Sequence, residues 1–455
     1  MSEADPAKTW YYPASENISL FRSTACWGVA EILSTNPICS PCTYDDGSAL
    51  PQQLQAWTKF LSEYVRQRAR YGRLVEFFSP TYYKYTLQNF YNLADFSSDP
   101  ELRRLSKSFL DVWWAEWAQE QVGGWHGGSK SRAYSKRIED QLSIGTQLGW
   151  LYFGFGDGKV PGLMVSMVAS PYQPPTIVGE IASGAKSPGY VVRARAGGVV
   201  TPSSGRREID GAAGGIVRYS YVTSSFVLAL SEVPRIAWER WIPFARQNQW
   251  GGLTMVGPGQ PQYVFARPLS VGKSRASYND LWGVQSFGTQ IVQKIPAPLS
   301  RHAGRMAVWL SDDLKTERDG DWTVASWGDS YVAFRPAFGG IDSKSAPDKQ
   351  VLNDDTSPVI IQAALKSEFA DLAAFKSAVR SATMEVGNEF IRFRGLGQAG
   401  TLTFYYKSDR APEIDGKPLE LSPPFSLDSP FLKARWGEGV VTIRYGQQEL
   451  VRDFR

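Results

Sequence analysis

Residues 79–124 read SPTYYKYTLQNFYNLADFSSDPELRRLSKSFLDVWWAEWAQEQVGG, two helix-start signals each followed by an amphipathic stripe. Ser79-Pro80 places a hydroxyl cap before a proline in the first turn, where the missing N–H costs nothing. Tyr83, Leu87, Phe90 and Ala94 follow at spacings of three and four, which predicts a helix as far as Ser97-Ser98-Asp99-Pro100. That break is itself a start: from Pro100 a second helix carries Leu102, Leu105, Phe109, Val112 and Trp113, and it ends at Gly123-Gly124. Two helices joined by so short a connection run antiparallel.

The same texture extends in both directions. Upstream, Ser15 caps a helix with Leu20, Trp27 and Ile32 that stops around Pro37, and another opens near Pro51 with Leu54, Trp57, Leu61 and Tyr64 and ends at Gly72. Downstream, a fifth starts near Tyr134 and fades at Gly149. If consecutive helices alternate, the first, third and fifth point the same way and their N-termini share one face. That face gathers Glu16 and Asn17, then Glu76 and residues 79–83, then the loop Trp125-His126-Gly127-Gly128-Ser129-Lys130-Ser131-Arg132. After about Gly154 short alternating runs take over, such as Tyr190 to Arg195, Val217 to Tyr221 and Gly439 to Arg444, with one helical interlude near Ser367 to Val379. The expected architecture is α+β and multidomain: an incomplete (α/α) toroid of antiparallel helices over 1–153, then a large antiparallel β-sandwich region over 154–455. No fixed-period repeat points to a propeller.

Composition narrows the function classes. The 455 residues are 43% hydrophobic and 21% charged, a globular balance that excludes a disordered chain. Sixteen Trp and 21 Tyr exceed the needs of a core unless some rings line a surface, and sugar binding is one such use. The net charge of +4 and the lack of a Lys/Arg run give no nucleic-acid stripe. No window reaches the roughly 18 apolar residues of a membrane span. Met1 to Trp10 lack a signal peptide's apolar stretch, so the expectation is a cytoplasmic chain, or an extracellular or periplasmic one whose leader has been removed. Cys39-Ser40-Pro41-Cys42, with Cys26 nearby, is compatible with a disulfide, a redox pair or plain thiols. His126 and His302 are the only two histidines, so no metal or other cofactor is expected. The glycines of residues 127–131 do not have P-loop spacing.

Together, Ser15-Glu16-Asn17, Glu76-Phe77-Phe78-Ser79-Pro80-Thr81-Tyr82-Tyr83, the loop ending Gly127-Gly128-Ser129-Lys130-Ser131-Arg132 and the later Trp282-Gly283-Val284-Gln285 resemble the heparinase II/III-like and alginate-lyase-like group of toroid-plus-sandwich proteins. The resemblance implies a polysaccharide or oligosaccharide substrate, anionic in character, and cleavage by β-elimination at a uronate. A full toroid of this group has about twice the helices read here. The group also often places a histidine directly after the asparagine, where this chain has Ile18.

β-Elimination removes the proton beside a uronate carboxylate and expels the glycosidic oxygen at the next carbon. The carboxylate has to be neutralised, and a placed acid and base have to move the protons. The residues supply candidates for each part. Asn17 suits the carboxylate, Tyr82 or Tyr83 the acid or base, and His126 the base; Lys130 and Arg132 are cations for substrate carboxylates. Trp125, Trp250, Asn248 and Tyr134 supply ring faces and hydrogen bonds for sugar, with Trp250 read as open and Trp282 as core. Tyr83 also belongs to the apolar stripe of its helix, Asn17 to a helix start, and Lys130, Arg132, Lys136 and Arg137 to what a solvated face would contain. Glu16 and Glu76 on the shared face define a rival class, a glycoside hydrolase with two carboxylates. A non-catalytic sugar-binding protein is the third class.

Overall fold

The computed structural model describes residues 3–39, 42–133, 144–155, 165–269, 281–295 and 304–455. Four long helices, α1 (Glu16–Ser34), α2 (Leu50–Arg70), α3 (Tyr83–Phe96) and α4 (Pro100–Glu120), make two hairpins laid side by side, with α1 against α3 and α2 against α4. The Asp99 carboxylate caps α4 by accepting from the Leu102 N–H at 2.7 Å. Ser79 behaves differently. Its hydroxyl accepts from the Tyr82 N–H at 3.3 Å, residues 79–82 form a turn, and α3 begins only at Tyr83. Helix α4 is buried almost all round, with Trp113, Trp114 and Trp117 inside, as expected of a helix enclosed by neighbours.

Helix α5 (Ile144–Phe153) continues past Gly149, the expected stop. Glycine is needed there for space, because a Cβ would lie 2.4 Å from the Trp117 ring. A helix that the sequence reading did not anticipate, α6 (Thr176–Ser183), follows Pro174-Pro175 and buries Ile177, Val178, Ile181 and Ala182, packing on α4. The sequence interlude appears as α7 (Leu372–Ser381), capped by Asp371. The start expected near Tyr134 lies outside the described residues, as do Lys136, Arg137 and His302. No helix of the described residues is long and apolar enough to cross a membrane.

An eleven-stranded antiparallel sheet organises the rest. Strands Tyr190–Gly197, Gly215–Val222 and Phe226–Glu232 lie at its centre, and the C-terminal strands, Phe425–Asp428 to Gln448–Asp453, extend it on one side. Alternation along Gly215–Val222 gives the sheet two different faces. Arg218 and Ser220 reach α4, whereas the Tyr219 hydroxyl accepts from the Phe287 N–H on the other side. On that second side a six-stranded antiparallel sheet packs across a core that includes Leu228, Leu253, Val264, Val332, Phe334 and Ile361. A five-stranded sheet docks beyond it through the Trp282–Phe404 and Trp322–Phe393 ring contacts. The chain is therefore α+β with several antiparallel sheets. Cys26, Cys39 and Cys42 are free thiols.

Helix α2 meets the large sheet at Gly72, whose φ is +88° and where a Cβ would sit 2.2 Å from the Arg195 carbonyl oxygen. Both the backbone conformation and the space require glycine. Gly72→Ala should cost more than about 2 kcal/mol of stability in urea unfolding. An unchanged midpoint would mean that this joint does not constrain the fold.

Candidate functional site

Four sequence candidates from three segments meet at one place. Asn17 comes from the first turn of α1, Glu76 and Tyr82 from the segment before α3, and Arg132 from the loop after α4. One Arg132 Nη1 donates to Glu76 Oε1 at 2.9 Å and lies 3.4 Å from Asn17 Oδ1, and the guanidinium carbon sits 3.9 Å from the centre of the Tyr82 ring. The Ser15 hydroxyl donates to Asn17 Oδ1 at 2.6 Å. Ser15 thus occupies the N-cap position without making a side-chain cap bond; its hydroxyl orients Asn17 instead. Tyr82 is half-buried, and the Arg132 side chain is 12% exposed, so both sit at the accessible edge of the cluster.

Glu76 lies deeper, at 1% exposure. Burial pushes its carboxyl up to about 7 against the pull of Arg132, and the neighbouring Glu16 adds to the rise. Its Oε2 has no hydrogen-bond partner among the described residues. Glu16, one residue before Asn17, points elsewhere, since successive helix positions are about 100° apart. Its Oε2 accepts from the Glu76 backbone N–H at 2.8 Å; its Oε1 accepts from the Tyr12 hydroxyl at 3.0 Å and faces Arg68 Nε at 3.4 Å. Glu16 and Arg68 are fully buried, with the guanidinium stacked over Trp10 and Tyr64 at 3.5 and 4.0 Å. Burial raises the Glu16 carboxyl, opposed by Arg68.

His126 belongs to a second, deeper group. Its ring stacks on Phe78 at 3.9 Å, and its Nε2 is 3.7 Å from Glu120 Oε2. Glu120 also accepts from Ser220 at 2.6 Å and pairs with Arg218, which donates to Glu116 at 2.6 Å; Arg73 pairs with Glu116. Burial lowers the His126 imidazole to about 4, only partly offset by Glu120, so the ring is neutral near pH 7. Glu120 is held down at about 2: Arg218 and His126 together outweigh its burial. Sequence reasoning missed Glu116, Glu120 and Arg218, and it paired Arg73 with Glu16 or Glu76, whereas Arg73 pairs with Glu116. The available signal was Arg218 and Ser220 within the otherwise apolar and aromatic strand Gly215–Val222.

Tyr83 is buried and stacks on Trp113 at 5.6 Å, so it faces the helical core and not the cluster. Lys130 is buried too. Its ammonium donates to the His126 and Gly128 carbonyls, both at 2.8 Å, and lies 4.2 Å over the Trp250 ring. Trp250, read as open, is 1% exposed because it packs with Ala133, Tyr263 and Phe265 under that lysine. Trp125 and Asn248 are buried as well, and Tyr134 lies outside the described residues. The loop carrying Arg132 is pinned to residues 247–250: Lys130 and Trp250 exchange backbone hydrogen bonds at 3.0 and 2.8 Å, Arg132 N–H donates to Gln247 O and Ala133 N–H to Asn248 O. Arg132 and Asn248 have positive φ, at 49° and 48°. Gly127 and Gly128 are needed for close approach, since a Cβ would meet Val227 at 2.3 Å and Glu120 at 2.6 Å.

No protein-family model matches the chain, and no curated protein matches it. Among solved structures, the crystal structure of heparinase III is a distant likeness, with a TM-score of 0.40 at 9% identity over 87% of this chain and 68% of that one.

The buried His126 makes a signed prediction. Its folded pKa of about 4 lies below the ordinary value of 6.5, so between those pH values the unfolded chain holds more protons and this group makes stability rise with pH. Glu76, raised to about 7 from 4.5, contributes with the opposite sign between those two values. Comparing His126→Gln with the parent in urea titrations from pH 4 to 6.5 isolates the histidine's share. The variant should show a smaller rise of midpoint with pH; identical slopes would mean that His126 is protonated in the fold.

Proposed function

We propose that this chain is a polysaccharide lyase that cleaves a uronic-acid-containing glycan by β-elimination, on an incomplete (α/α) toroid over 1–153 whose site is braced by the β-sandwich region over 154–455. The observation that supports this most is Arg132, a cation at the accessible edge of the cluster, bound to Asn17 and Glu76 and lying on the ring of Tyr82. Arginine presents a planar fork that matches a carboxylate with two parallel hydrogen bonds. In this reading the substrate carboxylate is bound by the Arg132 guanidinium and by the amide N–H of Asn17. Neutralising it stabilises the enolate-like charge that develops when the neighbouring proton leaves.

Tyr82 lies beside that position: as the phenolate it takes the proton from the sugar carbon, and the phenol so formed gives that proton to the glycosidic oxygen as the C–O bond breaks and the C=C bond forms. His126 is enclosed behind Phe78 and accepts Lys130 on its backbone carbonyl. Its role here is to hold the loop that presents Arg132, with direct proton transfer requiring that enclosure to open. Glu16, fully buried and bound by Arg68, Tyr12 and the Glu76 N–H, is assigned to positioning Glu76.

A second reading keeps Glu76 as a general acid in glycoside hydrolysis, because burial raises its carboxyl to about 7 and leaves its Oε2 without a partner among the described residues. The pair first considered, Glu16 with Glu76, is poorly suited to it, since Glu16 has no exposed surface.

Tyr82→Phe should reduce cleavage by at least about 100-fold while leaving the thermal transition within a few degrees of the parent; Arg132→Ala should reduce it as much but with a lowered thermal transition, because it leaves the buried Glu76 without its partner. The assay is ultraviolet absorbance of the unsaturated uronate product over a panel of acidic and neutral polysaccharides, with reducing ends measured in parallel. Full activity in both variants sinks the lyase assignment. Reducing ends without absorbance transfer it to hydrolysis through Glu76, and saturable binding without either signal leaves a sugar-binding protein.

A further inference from the structure

Helix α1 buries one side and leaves another open. Leu20, Thr24, Trp27 and Ala30 face inward, while Ile18, Phe21, Ala25, Gly28 and Ile32 follow one another on the outside at spacings of three and four. That spacing is the 3.5-residue repeat with which two helices pack along a seam. The stripe borders a groove of about 610 Å³ between α1 and α3, lined by Phe21, Ala25, Gly28 and Ile32 on one side and by Asn92 and Phe96 on the other. No described segment of the chain covers it: Ile18, Phe21, Ile32 and Phe96 are 56, 51, 70 and 68% exposed.

Gly28 shows what the stripe leaves room for. It lies well inside α1, where glycine weakens a helix relative to alanine. A Cβ added there would meet nothing within 4 Å, so no internal contact of the fold requires the bare backbone. What the missing side chain provides is space on the outside. With Ala25 it leaves a hollow along the seam between Phe21 and Ile32.

This pattern is complementary to itself. When two copies of α1 lie antiparallel about a two-fold axis near Ala25, Phe21 comes to the partner's Gly28 and Ile18 to the partner's Ile32, and symmetry repeats each contact. A large ring then meets a hollow, and apolar meets apolar. The area is also sufficient. The four exposed side chains leave on the order of 400 Å² of apolar surface open on each chain. A standard interface buries roughly 800 Å² per partner, a little over half of it apolar. The charges beside the stripe are already engaged within the chain, which favours a neutral partner over a charged one. Arg22 pairs with Glu3 at 2.9 Å, and the buried Glu31 accepts from the Ser98 N–H at 2.8 Å.

We propose that the outer face of α1 is a homodimer interface, in which two chains pack α1 against α1 antiparallel and each inserts Phe21 into the groove of the other. The interface uses no side chain of the Arg132 cluster, and it stands whether or not that cluster cuts a glycan.

The test is sedimentation velocity on the whole chain from about 1 to 100 µM, alongside thermal unfolding. The parent should sediment at twice the chain mass over the upper part of that range. Phe21→Glu and Ile32→Glu each put a charge into the seam and should weaken association at least about 100-fold; both side chains are more than half exposed, so the monomer keeps its fold. Gly28→Leu fills the hollow and should weaken association at least about tenfold. Placed in the Phe21→Glu background, it should also raise the thermal transition, because a helix former replaces glycine; damage to the fold would lower it. Should either charged variant fail to fold, Gly28→Leu alone still decides the matter. The proposal is overturned if the parent stays a monomer at about 100 µM, or if the variants associate as the parent does, which would put the dimer on another face.

Discussion

Two glutamates on one face of α4 hold the helices to the large sheet. Glu116 and Glu120, one turn apart, receive Arg218 from the strand Gly215–Val222, and Arg73 closes the group from the segment after α2. All four side chains are buried. Charges taken out of water are tolerated only when paired and hydrogen-bonded, and removing one partner of such a group typically costs about 3–5 kcal/mol. The arrangement is therefore unforgiving in position: α4, the Arg73 segment and the central strand have to meet in one register or leave an uncompensated charge. Apolar packing alone would tolerate sliding; two carboxylates facing two guanidiniums do not.

From that fixed frame the candidate site is built outward in steps. Glu120 lies 3.7 Å from the imidazole edge of His126, and the close approach of Gly127 and Gly128 presses the following loop onto Val227 and Glu120. Lys130 then ties the loop's own carbonyls together over Trp250. On the helical side, Glu16 fixes the Glu76 backbone, and the Glu76 carboxylate fixes Arg132. The Arg132 cation, 12% exposed, is thus held from two directions. Such preorganisation is what electrostatic stabilisation of a developing charge requires, because little reorganisation remains when the charge appears.

The sequence made the four long helices legible because proline caps and three–four spacing act within a few residues. It placed Asn17, Glu76, Tyr82 and Arg132 on one face because hairpin alternation needs no long-range contact to predict it. What it could not reveal depends on partners distant in the chain. Trp250, followed by two glycines, has the local look of an exposed loop, yet it is buried by Lys130, 120 positions earlier. Glu16 and Asn17 are sequence neighbours with different surroundings, and only the position of Arg68 explains why the carboxylate is enclosed while the amide reaches Arg132. The short α6 was hidden because its eight residues, rich in β-branched side chains, match a strand as well as a helix until α4 is there to receive Ile177, Val178 and Ile181.

The helical and strand-rich regions do not divide the work into catalyst and scaffold. Arg132 has a left-handed backbone, a conformation that costs a non-glycine residue about 1 kcal/mol or more and persists only where surrounding bonds impose it. Those bonds come from residues 247–250, where Asn248 is also left-handed, so two strained turns support each other through a short antiparallel bridge. From the helical side, Ser79 Oγ donates to the Arg132 carbonyl and Glu76 and Asn17 bind its guanidinium, so the loop is held from both regions. The helices supply the phenol, the amide and the carboxylate, and residues 247–250 supply backbone bonds to the loop of the cation. The cluster is therefore a property of the interface between the two regions.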